Sequence, residues 1–249
     1  MTARAVETAA VAAFGTLFGS VFGRFVGDLV DLQTELTVAG GVIGGLNGAI
    51  GGWRRTYDWS CSHGPIAFTL DSTWALPMTA AGLVANGYGL ATWKRSGYLA
   101  DLSERQNRHV YRKGLVFRKG FAATIGNVID GARDVERPRR RRLINDHEDV
   151  HVWQGRWFGI FYPVLFGGWF LFGSGAGVVV WLARGRNDPL GKTVETVGYY
   201  MNPYEWWAYS RDDHWRPKGM VDGVGWTRPW VMPLATARAL RAGREPDAQ

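Results

Sequence analysis

The sequence predicts an α+β protein, mainly helical. It combines an N-terminal glycine-zipper helical hairpin, a small antiparallel sheet, an H-E-x-x-H helix and aromatic-rich C-terminal helices. Three observations predict this class. Glycines recur every fourth residue in two N-terminal stretches: Gly15, Gly19, Gly23, Gly27, then Gly40, Gly44, Gly48, Gly52. Residues 109–128 change to short β-rich runs broken by Arg-Lys-Gly, the pattern of strands joined by tight turns. His147-Glu148-Asp149-Val150-His151 places two histidines four apart beside a glutamate, and residues four apart share one helix face.

The first segment, residues 1–55, reads as a helical hairpin with helices over about 6–27 and 36–52 and an acidic turn through Asp28, Asp31 and Glu35. A glycine costs about 1 kcal/mol in a helix relative to Ala, so four in a stripe require compensation. Close approach of two helices supplies it, as in small-xxx-small contacts within membranes. The uncharged runs are short for a span, 15 residues at Ala9–Gly23 and 18 at Leu36–Trp53, against the roughly 20 a bilayer needs. Arg4 and Arg54-Arg55 flank the hairpin while acids occupy its turn. That asymmetry places both ends on the cytoplasmic side. The same stripes also offer a surface for homo-oligomerisation.

Residues 56–100 form an apolar connecting region. Residues 56–72 read as a loop with a Gly64-Pro65 turn, and Thr73–Trp93 as 21 uncharged residues suited to a span, an interfacial helix or a core helix. Leu102–Arg108 is polar and helical in type. Within the expected sheet, Phe121–Val128 is the candidate edge strand, and edge strands bind extended peptides by strand addition. Arg137-Pro138-Arg139-Arg140-Arg141-Arg142 reads as a basic linker, solvated or facing lipid.

Composition narrows the partners. The net charge is +7 and the basic residues cluster after apolar segments, which suits an anionic membrane surface. Nucleic acid is the weaker partner, because no motif of a nucleic-acid fold accompanies the charge. Thirteen Trp flank apolar runs, as at a membrane–water boundary. Mean hydropathy is −0.15, low for a polytopic chain. No cleavable signal peptide is read at the N-terminus. Cys61 is the one cysteine, so a cysteine metal cage is excluded, and Cys61 near His63 reads as an inert loop thiol.

The chemistry lies in residues 101–233. His147 and His151 can face one metal ion, with Glu148 placed to act as general base on a water. Downstream, Tyr199-Tyr200-Met201-Asn202-Pro203-Tyr204-Glu205 starts a new helix: Asn202 suits its cap and Pro203 its first turn. Glu205 then points inward among aromatics. H-E-x-x-H, then Gln154, then Tyr-x-x-Asn-Pro-x-Glu-x-x-Ala, resembles small bacterial metallopeptidases of the gluzincin type over about residues 105–210. The resemblance implies zinc held by His147, His151 and Glu205, Glu148 as the base, a peptide or protein substrate, and an edge strand beside the motif helix. Asp146 and Asp149 depart from that pattern, leaving second-sphere carboxylates or a merely solvated helix face as readings. Glu195 is a reserve ligand and His214 a spare one. Tyr199, Tyr200, Tyr204 and Tyr209 are candidate oxyanion donors. A carboxylate-bridged di-iron centre needs a second E-x-x-H, and none exists.

Phe158–Ala183 carries 26 residues without a charge. One straight helix would separate its ends by about 39 Å and part His151 from Glu205. The sequence therefore favours a fold-back at Gly173-Ser174-Gly175-Ala176-Gly177, between short helices at 158–172 and 178–184. Residues 234–249 read as a short helix and a polar tail. The functional expectation is a membrane-associated zinc hydrolase, most simply a peptidase with its site on the cytoplasmic side. The alternative is a non-catalytic membrane scaffold with an incidental or structural metal site.

Overall fold

A computed structural model describes residues 2–116, 120–212 and 217–226. His214, the expected helix over 234–242 and the polar tail lie outside them. The described chain is mainly helical with one small three-stranded sheet. Its described residues form two compact units: those within 2–144 together with 152–160, and 145–151 together with those within 161–226.

The first unit opens with α1 (Ala3–Val30) and α2 (Gln33–Trp53). Thr2 caps α1, and Asp31 turns the chain in a left-handed conformation at φ 58°. The glycine stripes face each other. A Cβ on Gly19 would strike the Gly40 carbonyl, and one on Gly15 the Gly44 carbonyl. Each stripe is thus covered by the other inside one chain.

After the hairpin the expected loop is instead partly helical: α3 spans His63–Ser72. Gly64-Pro65 lies in its first turn, where proline costs no backbone hydrogen bond. Gly64 is required there because a Cβ would collide with the Asp58 backbone. Helix α4 (Leu76–Ala91) and the single turn α5 (Trp93–Ser96) follow. Residues 102–108 are mostly turn, not helix, with Arg105 and Asn107 at positive φ.

The sheet is mixed, a correction to the expected antiparallel one. β1 (His109–Val110) runs parallel to β3 (Val128–Asp130), and β2 (Ala123–Ile125) runs antiparallel to β3. The order is β1-β3-β2, so β2 is an edge strand as expected of residues 121–128. A two-residue turn headed by Gly126 at φ 58° joins β2 to β3, the glycine position that tight hairpins favour. The longer excursion from β1 allows β3 to return parallel. Leu99, Leu102, Val110, Ile129, Val135, Ile144 and Val152 form the core around it.

The basic run is not a linker. Its residues form α6 (Pro138–Arg142). Arg140 donates to the carbonyls of Ala132 (2.9 Å) and Gly131, Arg137 pairs with Asp134 at 2.9 Å, and Arg141 with Asp101 at 3.3 Å. A π-helical segment (Leu143–Glu148) runs on into α7 (Asp149–Phe158). In the first unit Arg156 of α7 grips Asp71 through two hydrogen bonds of 2.8 and 2.9 Å. Tyr57 and Asn127 also donate to Asp71. Both charges of the pair are buried, so removing either would strand the other at a cost of about 3–5 kcal/mol.

The second unit contains α8 (Phe161–Ala183), one unbroken helix. The fold-back expected at 173–177 is absent. Gly173 and Gly177 are instead a third small-residue stripe. A Cβ on Gly173 would lie 3.0 Å from Gly198 Cα, and one on Gly177 2.8 Å from Val194 Cα. The chain turns at 184–189, where Gly185 and Arg186 take positive φ. It returns along α8 through α9 (Leu190–Glu195) and a second π-helical segment (Thr196–Tyr200), then enters α10 (Pro203–Arg211). Among the described residues, α1 and α8 are long and apolar enough to cross a membrane.

Candidate metal centre

All three expected ligands belong to the second unit. His147 is the last residue but one of the first π-helical segment and His151 lies in the first turn of α7. Such π segments are frequent at functional sites because they re-aim side chains within a helix. Glu205 sits in the first turn of α10. Asn202 caps that helix by accepting from the Tyr204 amide at 3.1 Å, and its own amide donates to the Phe166 carbonyl at 3.3 Å. The Asn-Pro pair therefore both starts α10 and ties it to the beginning of α8.

The geometry is tight. His147 Nε2 and His151 Nε2 are 3.3 Å apart. His147 Nε2 lies 3.6 Å from Glu205 Oε2, and His151 Nε2 3.6 Å from Glu205 Oε1. Side chains of all three are nearly inaccessible. The 3.6 Å separations are too long for good hydrogen bonds, yet three donor atoms converge. Among the described residues, Glu205 Oε2 and His147 Nδ1 have no hydrogen-bond partner. Burial opposes ionisation of Glu205, but the facing His151 and His147 more than offset this and hold its carboxyl at about 2. Two imidazole nitrogens facing an ionised carboxylate fit a cation. In a tetrahedral site with bonds of about 2.0–2.1 Å, ligand atoms stand roughly 3.3–3.4 Å apart, close to the separations found. His147, His151 and Glu205 can therefore hold a metal ion.

Glu148 is buried beside them, and its charge bears on the hydroxyls of Tyr199 and Tyr209. The solvated-helix reading of H-E-D-V-H is thus corrected: its His147, Glu148 and His151 are buried, while Asp146 and Asp149 are partly exposed. Glu195 is not part of the ligand cluster.

Tyrosines enclose the site. Tyr199 donates to Glu205, and burial, then the Glu205 charge, pushes its hydroxyl pKa well up. The Tyr209 ring packs edge-on against His147 at 4.5 Å between centroids, and burial raises its hydroxyl pKa, reinforced by Glu205. Tyr204 packs against Tyr162 at 5.4 Å. Of the four candidate oxyanion donors, Tyr199 and Tyr209 both feel the Glu205 and Glu148 charges.

Two neighbours were not among the expected residues. Asp212 Oδ2 lies 3.6 Å from His147 Nδ1, and Tyr162 Oη lies 3.2 Å from His151 Nδ1. Asp212 follows Glu205 by seven residues, two helical turns along one face, a signal present in the sequence. Tyr162 has no periodic relation to His151, because Gly159 at φ 52° ends α7 between them.

The remaining histidines play other parts. His109 is buried in the first unit, and desolvation, then Arg54 and Arg156, depress its pKa. His63 packs edge-on against Trp153 at 5.9 Å. Cys61 is exposed, 3.9 Å from His63 Nδ1.

Comparison with protein-family models, with curated proteins and with solved structures finds no match.

Proposed function

We propose that this protein is a membrane-associated, zinc-dependent hydrolase, most simply a peptidase of the gluzincin type. The observation that carries the reading is the convergence of His147 Nε2, His151 Nε2 and the Glu205 carboxylate at 3.3–3.6 Å. Two imidazoles and one carboxylate are the ligand set of catalytic zinc, with a fourth position for water. Zinc bound there supplies Lewis acidity, acidifying a water and polarising a carbonyl. Glu148, next to His147 in sequence, accepts the proton of the attacking water and returns it to the leaving amine. Tyr209, whose ring packs edge-on against His147, would donate to the developing oxyanion.

Membrane association rests on exposed apolar surface. On α8, Val164, Leu171, Phe172 and Val179 are 64–74% exposed, and on α1 Phe14, Leu17, Val21 and Phe25 are exposed as well. Contiguous apolar patches of this kind mark an interaction surface, and lipid is the occupant that suits two long apolar helices. The charges flanking the first hairpin favour a cytoplasmic site.

Burial of every ligand also suits a structural metal in a non-catalytic membrane scaffold. One variant separates the readings. Glu148→Gln should retain zinc and lose hydrolysis of labelled casein by about 10²–10⁴-fold in anionic vesicles. Equal activity in that variant contradicts the mechanism. Zinc binding without hydrolysis in the wild type favours the scaffold.

A further inference from the structure

We infer that the metal centre lies at the boundary of the bilayer and that its substrate is an extended peptide segment immediately beside a membrane anchor. The inference rests on the metal and membrane readings above and deepens them by naming the substrate class.

Every group in the argument belongs to the second unit. Helix α8 carries no charge, and its 23 residues extend about 35 Å, against a hydrocarbon core of about 30 Å. At its far end Arg186 lies over the Trp181 ring at 5.3 Å and Arg184 pairs with Asp188 at 2.8 Å. Trp and Arg so placed anchor a helix at a headgroup layer. At its near end stands the ligand cluster. Tyr162, the second residue of α8, has its hydroxyl 3.2 Å from His151 Nδ1, and its ring packs at 5.4 Å against Tyr204, the neighbour of Glu205. Asn202 ties the start of α10 to the Phe166 carbonyl in the second turn of α8. From Tyr162 to Arg184 the helix rises about 33 Å. With Arg184 at one headgroup layer, Tyr162 and the ligands it touches fall at the other. Tyrosine suits such a layer, where its ring is apolar and its hydroxyl wet. The surface beside the ligands is apolar too: Phe161, Val164 and Leu165 in the first two turns of α8 are 45–66% exposed.

Backbone inside the hydrocarbon must hydrogen-bond to itself, so its amides are closed to attack. The first residues outside the core are the first that can extend, and they emerge at the level of His147, His151 and Glu205. An anchored peptide is also confined to the surface that holds the site, which raises its effective concentration. A soluble peptide has neither advantage. The reaction is amide hydrolysis: water gives its hydroxyl to the carbonyl carbon, the C–N bond breaks, and the departing amine takes the remaining proton.

The test uses the full chain in vesicles of phosphatidylcholine and phosphatidylglycerol. A bimane fluorophore is attached at Val164→Cys or Phe172→Cys in a Cys61→Ser background, and lipids with a nitroxide at a shallow or a deep acyl position quench it. Val164→Cys should be quenched more by the shallow nitroxide and Phe172→Cys more by the deep one, with or without zinc. The zinc-loaded wild type is then given a randomised peptide library with a palmitoyl chain on the last residue. At about 20 residues each peptide can extend about 65 Å. Mass spectrometry should find the cuts concentrated within about six residues of the acylated end, about 20 Å when extended. Cleavage should be at least about tenfold faster than for the same library without palmitate. No quenching at either position overturns the inference together with the membrane reading and leaves the metal reading standing. The expected quenching with cuts spread along the peptides, or with equal rates for the two libraries, overturns the substrate class alone. No cleavage by the zinc-loaded wild type overturns the hydrolase reading and this inference with it. If a cysteine variant fails to fold, the cut positions produced by the wild type still decide.

Discussion

At the scale of single residues, two buried carboxylates differ in what faces them. Glu205 is a buried carboxylate facing two imidazoles, and its pKa is held at about 2. Asp130 is a buried carboxylate facing none. It accepts from the Leu115 amide at 2.9 Å, but desolvation raises its pKa to about 7. An unfolded Asp ionises near 4. Between about pH 4 and 7 the unfolded chain therefore loses a proton that the folded chain keeps, and stability falls as pH rises through that window. Asp130→Asn keeps an acceptor for Leu115 without the charge. It should raise the melting temperature by about 3 °C or more at pH 8 and change it little at pH 4. Equal effects at both pH values would mean that Asp130 carries no penalty. The candidate ligands were legible because their signals are local: the His147–His151 spacing, and the Asn202-Pro203 cap at the start of the helix that carries Glu205. Tyr162 was hidden because a helix break interrupts the periodicity that would have joined it to His151.

At the scale of elements, glycine placement decides which helices touch. Gly44 lies against the Gly15 backbone, whereas Gly87 on α4 has open space where a Cβ would go. Replacing either with Ala gains about 1 kcal/mol of helix propensity. At Gly44 the added methyl must force α1 and α2 apart, and overpacking of that kind costs about 1–3 kcal/mol. Gly44→Ala should lower the melting temperature and Gly87→Ala raise it slightly. Thermal unfolding in detergent reads both, and a stabilising Gly44→Ala would contradict the zipper. The same physics explains the misread turn. Gly173-Ser174-Gly175-Ala176-Gly177 has turn composition, but Gly173 and Gly177 share a face against the return leg, and packing overrode composition. The mixed sheet was illegible for a related reason. Residue patterns mark strands, not the crossover that sets β1 parallel to β3.

At the scale of the whole molecule, the fold must bring together motifs 54 residues apart, His151 and Glu205. A spanning α8 had looked incompatible with that meeting, since a straight helix carries its far end away. The chain solves it with a longer hairpin. The turn falls at 184–189, after α8 ends, and α9 with its π-helical continuation retraces the helix to its start, where Asn202 bonds to Phe166. An apolar α8 and a shared metal site are thus compatible. The most direct test is elemental analysis of the purified wild type beside His151→Ala and Glu205→Ala. The account expects about one zinc per wild-type chain and loss of zinc in both variants. A wild type without metal, or a Glu205→Ala variant that binds it as the wild type does, would contradict the joining of the two motifs in one site.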